Sequence, residues 1–343
     1  FNKRGEFLTA SSGEAILKIA EQQDFQYASV DDLGKIIRVS GAIEYHVQKI
    51  LELPLINSKG ISQKKFKVVV DGVNSSGGIA IPLLLKALGV ITVTMYCDPT
   101  GDFPHNPEPL KEHLTALSER VLKEKADFGI VVDPDVDRLA FVDENGAVFG
   151  EEYTLVACAD YVLSKTPGNT VSNLSSTLAL SEITVQRGGT YHASAVGEVN
   201  VVDKMKKVKA VIGGEGNGGI IYPDLHYGRD ALVGVALFLS LLTEKNQKVS
   251  VLRSSYPEYA MSKAKISLSK QMDIDSIFKK VERKFSKNNM NTIDGVKISF
   301  ESSWVHLRKS NTEPVIRVYT EAKSQLEADK LARRFLGEIQ EVI

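Results

Sequence analysis

The chain has 343 residues, and its 42 Lys and Arg residues almost balance its 43 Asp and Glu residues. The net charge of −1 gives no general attraction to nucleic acid or to an anionic membrane, so we expect neither as a partner, and any anion site must be local. Hydrophobic residues make up 43% of the chain, which is typical of a globular protein with sizeable buried cores.

The first part of the chain alternates between helical and strand patterns. A helical pattern at 12–22 is followed by a polar segment that ends near Ser40. The next predicted elements are a helix at 43–51, a strand at 66–72, a helix at 79–88, a strand at 90–97, a Pro-rich loop at 98–109, a helix, and a strand at 128–132. This alternation predicts a mainly parallel sheet covered by helices.

A second pattern of the same kind follows. Its predicted elements are helices at 153–163, 199–207 and 231–242 and strands at 170–174, 189–194 and 209–214. The apolar stretch at 231–242 is too short to cross a bilayer and is typical of a core helix. Beyond it, strands at 296–300, 304–310 and 314–322 lie between helices at 274–285 and 325–340, which predicts an α+β unit with an antiparallel sheet.

We therefore predict two consecutive α/β domains with mixed, mainly parallel sheets, followed by a C-terminal α+β domain. The predicted domain ranges are 41–149, 150–255 and 256–343. The two cysteines, Cys97 and Cys158, show no disulfide or metal-binding spacing. We expect reduced core thiols in a cytoplasmic protein.

The loop DPDVDR, after the strand at 128–132, places Asp133, Asp135 and Asp137 at alternate positions. Carboxylates so close together repel one another unless they share a cation, and Mg²⁺ prefers such oxygen ligands. The neighbouring Arg138 can reach a phosphate that contacts the same cation. The loop therefore predicts a magnesium and phosphate site.

Three other kinds of structure contain a similar pattern of aspartates. A calcium-binding EF-hand is improbable because Arg138 replaces the required glycine and strands replace the flanking helices. A phosphatase of the haloacid dehalogenase type, with Asp133 as the nucleophile, fits the run GIVVDPDV moderately well. An acidic turn that only contacts solvent is also compatible with the pattern.

Two further loops offer polar groups. The run VIGGEGNGG follows a strand but does not open a helix, which argues against dinucleotide binding, and it presents Glu215 and Asn217 on a flexible glycine backbone. The run LRKSNTEP offers the donors of a phosphate cradle, namely Arg308, Ser310, Asn311 and Thr312. Taken singly, each loop could instead be an ordinary hairpin turn.

Together the three loops, in this order, resemble those of the α-D-phosphohexomutase family. The supporting segments are DFPHNPEP, at 102–109, and GRDAL, at 228–232. The resemblance implies that the protein is an isomerase that moves a phosphoryl group within a hexose phosphate. Such enzymes use a phosphoserine, Mg²⁺ and a hexose 1,6-bisphosphate intermediate. The resemblance also implies that Arg317 points towards the phosphate loop.

The resemblance further implies a role for each loop. The three aspartates would hold Mg²⁺, and Arg138 would contact the transferring phosphoryl group as the catalytic residue of this loop. Glu215 and Asn217 would bind sugar hydroxyls. The four residues of the last loop would hold the phosphate that does not react.

The family's nucleophilic serine lies in a loop of the T-A-S-H-N-P type. The run LTASSGE only mimics it, and Ser11 with Glu14 is better explained as a helix capping box. We therefore expect residues 1–40 to be the C-terminal remnant of a first α/β domain, with the serine upstream of Phe1. On this hypothesis the chain alone binds substrate without turning it over.

The substrate rests on finer features. The run SAVGEVNVVDKM resembles a segment of phosphoglucosamine mutases, which favours interconversion of glucosamine 6-phosphate and glucosamine 1-phosphate. Three alternatives remain: a phosphomannomutase or phosphoglucomutase, a phosphatase that uses Asp133, and a sugar-phosphate-binding protein without catalysis. The oligomeric state cannot be predicted.

Overall fold

A computed structural model describes residues 1–267, 274–310 and 314–342 of the chain. Its helices are α1 (Ala10–Glu21), α2 (Ala42–Leu51), α3 (Ser58–Lys64), α4 (Gly77–Ala87), α5 (Thr115–Glu124), α6 (Glu151–Lys165), α7 (Leu178–Gln186), α8 (Glu198–Val208), α9 (Ala231–Lys245), α10 (Val249–Ser254), α11 (Ile274–Lys284) and α12 (Gln325–Val342). Its strands are β1 (Lys67–Asp71), β2 (Ile91–Met95), β3 (Phe128–Val132), β4 (Leu139–Asp143), β5 (Asn169–Asn173), β6 (Tyr191–Ser194), β7 (Ala210–Glu215), β8 (Gly219–Ile221), β9 (Ala260–Ser267), β10 (Asn289–Asn291), β11 (Val296–Ser299), β12 (Trp304–Lys309) and β13 (Val315–Ala322).

The first sheet has the strand order β2-β1-β3-β4. Strand β1 runs parallel to β2 and β3, whereas β4 returns antiparallel to β3. Every residue of β3 and β4 is buried, so both faces of these strands are covered. Because β1 and β3 are parallel, the loops at their carboxyl ends lie at the same edge of the sheet.

The second sheet repeats this arrangement with the strand order β6-β5-β7-β8. Strands β6, β5 and β7 are parallel, and β8 is antiparallel to β7. The two mixed, mainly parallel sheets confirm the α/β part of the predicted fold.

The third sheet is antiparallel and has the strand order β10-β11-β12-β13-β9. Helices α11 and α12 contribute side chains such as Val281 and Phe335 to one apolar cluster with this sheet. Burial of this cluster against the sheet explains why the helices carry apolar residues on one face only. The predicted C-terminal α+β unit is confirmed.

Helix α9 joins the first two sheets. Its residues 231–242 are all buried, which confirms the predicted core helix. The ring of Phe238 stacks on that of Phe141 from β4, with centroids 3.8 Å apart, and also contacts Phe128 from β3. The two α/β units therefore share one hydrophobic core. Among the described residues, no helix has the length and apolar composition that a bilayer crossing requires.

Helix α1 begins two residues earlier than the capping box predicts. Its N-cap is Thr9, whose hydroxyl accepts a hydrogen bond from the backbone N–H of Ser12. The predicted cap at Ser11 is therefore wrong, because Ser11 already lies inside the helix. Its side chain is exposed to solvent on this helix.

Candidate functional site

The DPDVDR loop closes on its own first aspartate. Strand β3 ends at Val132, and Asp133 Oδ1 then accepts hydrogen bonds from the backbone N–H groups of Asp137 and Arg138, at 3.0 and 2.9 Å. Val136, which lies between Asp135 and Asp137, has a φ of +61°, a conformation that β-branched residues seldom adopt. Such strain persists only where the surroundings fix the loop, and it is typical of ligand sites.

Contacts from two neighbouring segments hold this loop in place. The hydroxyls of Ser75 and Ser76, just before α4, both donate to the carbonyl of Pro134, at 2.7 and 2.8 Å. On the other side, the N–H of Ala231, in the first turn of α9, donates to the carbonyl of Val136 at 3.0 Å. The two α/β units therefore position the aspartates jointly.

The three aspartates bring their carboxylate oxygens within 4.8 Å of one another. Asp133 is buried, and burial together with the neighbouring carboxylates raises its pKa well above the usual value. Burial also raises the pKa of Asp137, whose Oδ1 atom has no hydrogen-bond partner within the described part of the chain. A buried carboxylate oxygen without a partner and a cluster of repelling anions both fit a hard divalent cation such as Mg²⁺.

Arg138 extends from this loop between acidic groups. Its guanidinium lies 3.3 Å from Glu108, 3.6 Å from Asp133 and 3.8 Å from Asp137. Next to it, the N–H of Leu139 donates to the carbonyl of Gly218 at 3.1 Å. This backbone contact places the aspartate loop beside the glycine loop that was predicted to bind sugar.

The glycine loop is the hairpin between β7 and β8 rather than the start of a helix. Gly218 has a φ of +90°, and an added Cβ there would lie 2.3 Å from the carbonyl oxygen of Leu139, so only glycine fits. Glu215 is buried, and its Oε1 accepts hydrogen bonds from Asn173 and from the N–H of Gly197. Because each carboxylate oxygen accepts more than one hydrogen bond, Glu215 retains capacity for a ligand hydroxyl.

Arg229 connects the two loops, and sequence reasoning did not identify it. Its guanidinium contacts Asp137 Oδ2 at 2.5 Å, Glu198 Oε2 at 2.8 Å and Glu215 Oε2 at 3.0 Å. Its segment, GRDAL, supported the family resemblance. The three acidic partners of Arg229 lie elsewhere in the sequence, so no local spacing indicated that they contact it. Arg229 therefore forms a bridge between the aspartate loop and the glycine loop.

The predicted phosphate loop follows β12. Arg308 and Arg317 are paired neighbours on β12 and β13, and both line the same cleft. The Nε atom of Arg308 is buried without a hydrogen-bond partner among the described residues, although its charge lies 3.5 Å from Asp294. Ser310 is buried, and its N–H donates to the carbonyl of Val315. Asn311 and Thr312 lie outside the described residues.

One cleft of about 460 Å³ brings these loops together. Five of the residues that the sequence indicated line it, and they come from the units of all three sheets: Arg138, Glu215, Asn217, Arg308 and Arg317. The aspartates and Ser310 do not line it, but Arg138 and Arg229 connect its wall to the aspartates. A larger cavity, about 680 Å³, lies among Lys64, Lys125 and Lys248 and contains none of the loop residues.

Glu152, at the start of α6, is a second cleft residue that the sequence did not reveal. Its carboxylate accepts a hydrogen bond from the N–H of Thr177 at 2.9 Å, and burial raises its pKa well above the usual range. An added Cβ at Gly216 would collide with this carboxylate. The carboxylate of Glu152 therefore lies directly against the backbone of the glycine loop at Gly216.

The third sheet is tied to the second by buried polar contacts beside the cleft. His306 Nδ1 lies 2.9 Å from the hydroxyl of Ser175, and its Nε2 lies 2.7 Å from the carbonyl oxygen of Asp294. Lys297 donates to the carbonyl of Leu174 at 2.6 Å. Burial lowers the pKa of His306 to about 4 and that of Lys297 to about 8.

Comparisons with known proteins agree with this architecture. Residues 44–146, 150–259 and 262–338 match the family descriptions of phosphoglucomutase/phosphomannomutase domains II and III, both alpha/beta/alpha, and of its C-terminal domain. A phosphoglucomutase/phosphomannomutase of Thermococcus kodakarensis is 34% identical over 310 residues, which cover 89% of this chain and 67% of that protein.

A probable phosphoglucosamine mutase of Methanopyrus kandleri is 29% identical over 324 residues, or 93% of this chain and 70% of that protein. The crystal structure of a phosphoglucomutase/phosphomannomutase family protein from Burkholderia thailandensis superimposes with a TM-score of 0.82 at 26% identity, covering 97% of this chain and 71% of that one. The chain therefore belongs to the phosphoglucomutase/phosphomannomutase family of α-D-phosphohexomutases, which are isomerases that act as intramolecular phosphotransferases.

Proposed function

We propose that this chain carries the metal-, sugar- and phosphate-binding parts of a mutase that interconverts glucosamine 6-phosphate and glucosamine 1-phosphate through a 1,6-bisphosphate. The observation that carries this proposal is the convergence of Arg138, Glu215 and Arg308 in one cleft. A sugar with a phosphate at each end needs groups for both phosphates and for the hydroxyls between them. These residues supply such groups from three different sheets.

We assign Asp133, Asp135 and Asp137 to a bound Mg²⁺, which would neutralise charge on the phosphoryl group. Two observations support this assignment: Oδ1 of Asp137 is buried and accepts no hydrogen bond from the described residues, and the three carboxylates repel one another. Arg138 would orient the same phosphoryl group, since its guanidinium projects from the metal loop into the cleft. A loosely bonded transition state of this kind depends on positioning and charge more than on covalent chemistry.

Glu215 and Asn217 would bind the sugar hydroxyls, and Arg308 with Ser310 would hold the phosphate that does not react. Asn311 and Thr312 stay predictions for that same phosphate. Arg317 joins them in the proposal because it lies opposite Arg308 in the pairing of β12 with β13. Binding the distal phosphate tightly fixes the sugar, and such fixing supplies much of the rate of phosphoryl transfer.

We further propose that the metal, sugar and phosphate functions belong to domains at 41–149, 150–255 and 256–343. The family matches at 44–146, 150–259 and 262–338 support these ranges. The nucleophilic serine is assigned to no residue of the chain. The exposed position of Ser11 on α1 gives no support for Ser11 in that role.

The preference for hexosamine rests on the segment that contains Glu198. This side chain is buried at the cleft wall beside Arg229, and it adds a carboxylate that could face an amino group on the sugar. The names of the relatives include both phosphoglucosamine mutases and a phosphoglucomutase/phosphomannomutase, so the substrate has to be measured.

The experiment compares binding of glucosamine 6-phosphate, glucose 6-phosphate and mannose 6-phosphate to the 343-residue chain by calorimetry in Mg²⁺. We expect glucosamine 6-phosphate to bind most tightly, and Arg308→Ala to weaken all three. Arg120→Ala, which removes an arginine on α5 outside the cleft, is the control and should change nothing. Tighter binding of glucose or mannose phosphate would overturn the hexosamine proposal, and no binding of any of them would overturn the sugar-phosphate site itself.

A further inference from the structure

Three side chains outside the proposed phosphosugar site converge near the N-terminus of α9. His46 Nε2 lies 2.7 Å from Asp230 Oδ2, and His226 Nε2 lies 3.0 Å from the same oxygen. The three donor atoms fall within 4.8 Å of one another. His46 comes from α2, 184 positions away from Asp230 in the chain, so only the fold brings this set together.

The surroundings leave one oxygen of Asp230 directed at the two imidazoles. Its other oxygen, Oδ1, caps α9 by accepting the N–H groups of Leu232 and Val233, at 2.8 and 3.1 Å. The neighbouring Arg229 contacts a different set of carboxylates and does not compete for Asp230. A carboxylate fixed by its second oxygen in this way is the arrangement that orients metal ligands.

We propose that His46, His226 and Asp230 form a binding site for a divalent transition metal of the Zn²⁺ type. Two imidazole nitrogens and one carboxylate oxygen are a donor set that suits Zn²⁺, Co²⁺ or Ni²⁺ and does not suit Mg²⁺. Ligands about 2.0–2.1 Å from a tetrahedral ion lie about 3.3 Å apart, so the observed 2.7 and 3.0 Å need only a small opening.

Access and space at the cluster also suit an ion. Asp230 is only 5% exposed, whereas the side chains of His46 and His226 are 33% and 42% exposed, so an ion and a water ligand can enter from solvent. An added Cβ at Gly228 would lie 3.0 Å from His226 Nδ1, so the glycine leaves the space in which this ring stands. The protein thus supplies three ligands and an open fourth position.

A metal at this position would fasten α2 to the start of α9. The next residue, Ala231, donates its N–H to Val136 in the centre of the DPDVDR loop. The site therefore stands behind the aspartate loop without sharing a ligand with it. Its role would be structural, since none of its ligands lines the sugar-phosphate cleft.

The test titrates Zn²⁺ into the metal-free 343-residue chain by calorimetry, with excess Mg²⁺ present to occupy the aspartate loop. We expect one Zn²⁺ per chain, and we expect His46→Ala and His226→Ala each to weaken it at least 10-fold. Loss of an outer partner alone costs about 10–100-fold, so loss of a ligand must cost no less. Asp230→Asn, which keeps a good helix cap, should weaken it as well. The visible absorption of added Co²⁺ should change when imidazole binds it, and this change should occur in the native chain and not in the histidine variants.

Two controls separate this site from its surroundings. His113→Ala removes a histidine elsewhere in the chain, and Asp135→Asn impairs the aspartate loop; both should retain Zn²⁺ binding. Zn²⁺ should raise the melting temperature of the native chain by more than it raises that of His226→Ala. No stoichiometric Zn²⁺ binding, or equal binding by both histidine variants and the native chain, would overturn the proposal and leave only a hydrogen-bonded clasp.

Discussion

Arg229 lies 2.5 Å from Asp137 with one guanidinium nitrogen and 3.0 Å from Glu215 with another. Asp137 belongs to the aspartate loop of the first sheet, and Glu215 belongs to the hairpin of the second. One arginine side chain, mostly buried, therefore joins the proposed metal site to the proposed sugar site. We therefore expect a substitution in one loop to affect the other through this contact.

We predict that Arg229→Ala destabilises the chain and weakens sugar-phosphate binding. Removing one partner of a buried ion pair costs about 3–5 kcal/mol, and Asp137, Glu198 and Glu215 would all lose their contact with this guanidinium. Urea unfolding measures the stability, and calorimetry measures the binding. Arg229→Lys keeps the charge without the planar fork, so its stability and affinity should lie between those of the native chain and of Arg229→Ala. Native stability in Arg229→Ala would show that the bridge contributes nothing.

We predict that Asp133→Asn separates stability from metal binding. Asparagine can still accept the two backbone N–H groups that Asp133 Oδ1 holds, while one of three repelling charges disappears. The free energy of unfolding without metal should therefore stay the same or rise by roughly 1 kcal/mol. Mg²⁺ should no longer raise the melting temperature of the variant. A variant that Mg²⁺ stabilises as well as the native chain would contradict the assignment of Asp133 as a ligand.

We predict that Arg308→Ala weakens sugar-phosphate binding by about 10–100-fold, because a charge-assisted hydrogen bond contributes about 1.5–3 kcal/mol. Arg308→Lys should recover only part of this, since lysine cannot donate in a planar fork to a phosphate. Binding at two salt concentrations provides the check, because the native chain should depend more on salt than the alanine variant. Equal affinity in both would remove Arg308 from the phosphate site.

We predict that His306 makes the contact between the second and third sheets sensitive to acid. Its pKa is about 4 in the folded chain and near 6.5 when unfolded, so the unfolded chain binds more protons between these values. Stability from this group is therefore present above about pH 6.5 and is lost as the pH falls towards 4, a difference of about 2–3 kcal/mol.

The measurement uses Trp304, the single tryptophan, which is buried on the same strand as His306. Its fluorescence reports urea unfolding of the native chain and of His306→Gln at neutral pH and near pH 4.5. Because other groups titrate as well, the prediction concerns the difference between the two proteins. The difference in the free energy of unfolding between the native chain and His306→Gln should be large at neutral pH and should shrink by about 2–3 kcal/mol in acid. A difference that does not change with pH would contradict the prediction. His113→Gln is the control.

The fold could be predicted because its periodicities are strong. The buried run at 128–132 and the apolar helix at 231–242 have patterns that tertiary context did not override. The elements that were not predicted include α3, β8, α10, β9 and β10. They are short or lack a strong apolar period, and they form because neighbouring elements supply their partners, which local patterns do not record.

The candidate site was predictable only where its residues share a loop. The aspartates and Arg138 follow one strand in sequence, so their grouping was visible. Arg229, Glu152 and the cluster of His46 with Asp230 depend on contacts across the chain, and no spacing rule reveals them. The same limit applied to the cap of α1: Ser11 alone has a glutamate three residues on, yet Thr9, which is also a capping residue type, caps the helix.

The most direct test of the central claim is calorimetric titration of a hexose 1,6-bisphosphate into the 343-residue chain with Mg²⁺ and with a chelator. The proposed cleft binds both ends of this ligand, one beside the aspartate loop and the other at Arg308. We therefore predict one site per chain whose affinity is higher in Mg²⁺, with that gain abolished by Asp135→Asn. Equal affinity with chelator, or no binding at all, would contradict the account.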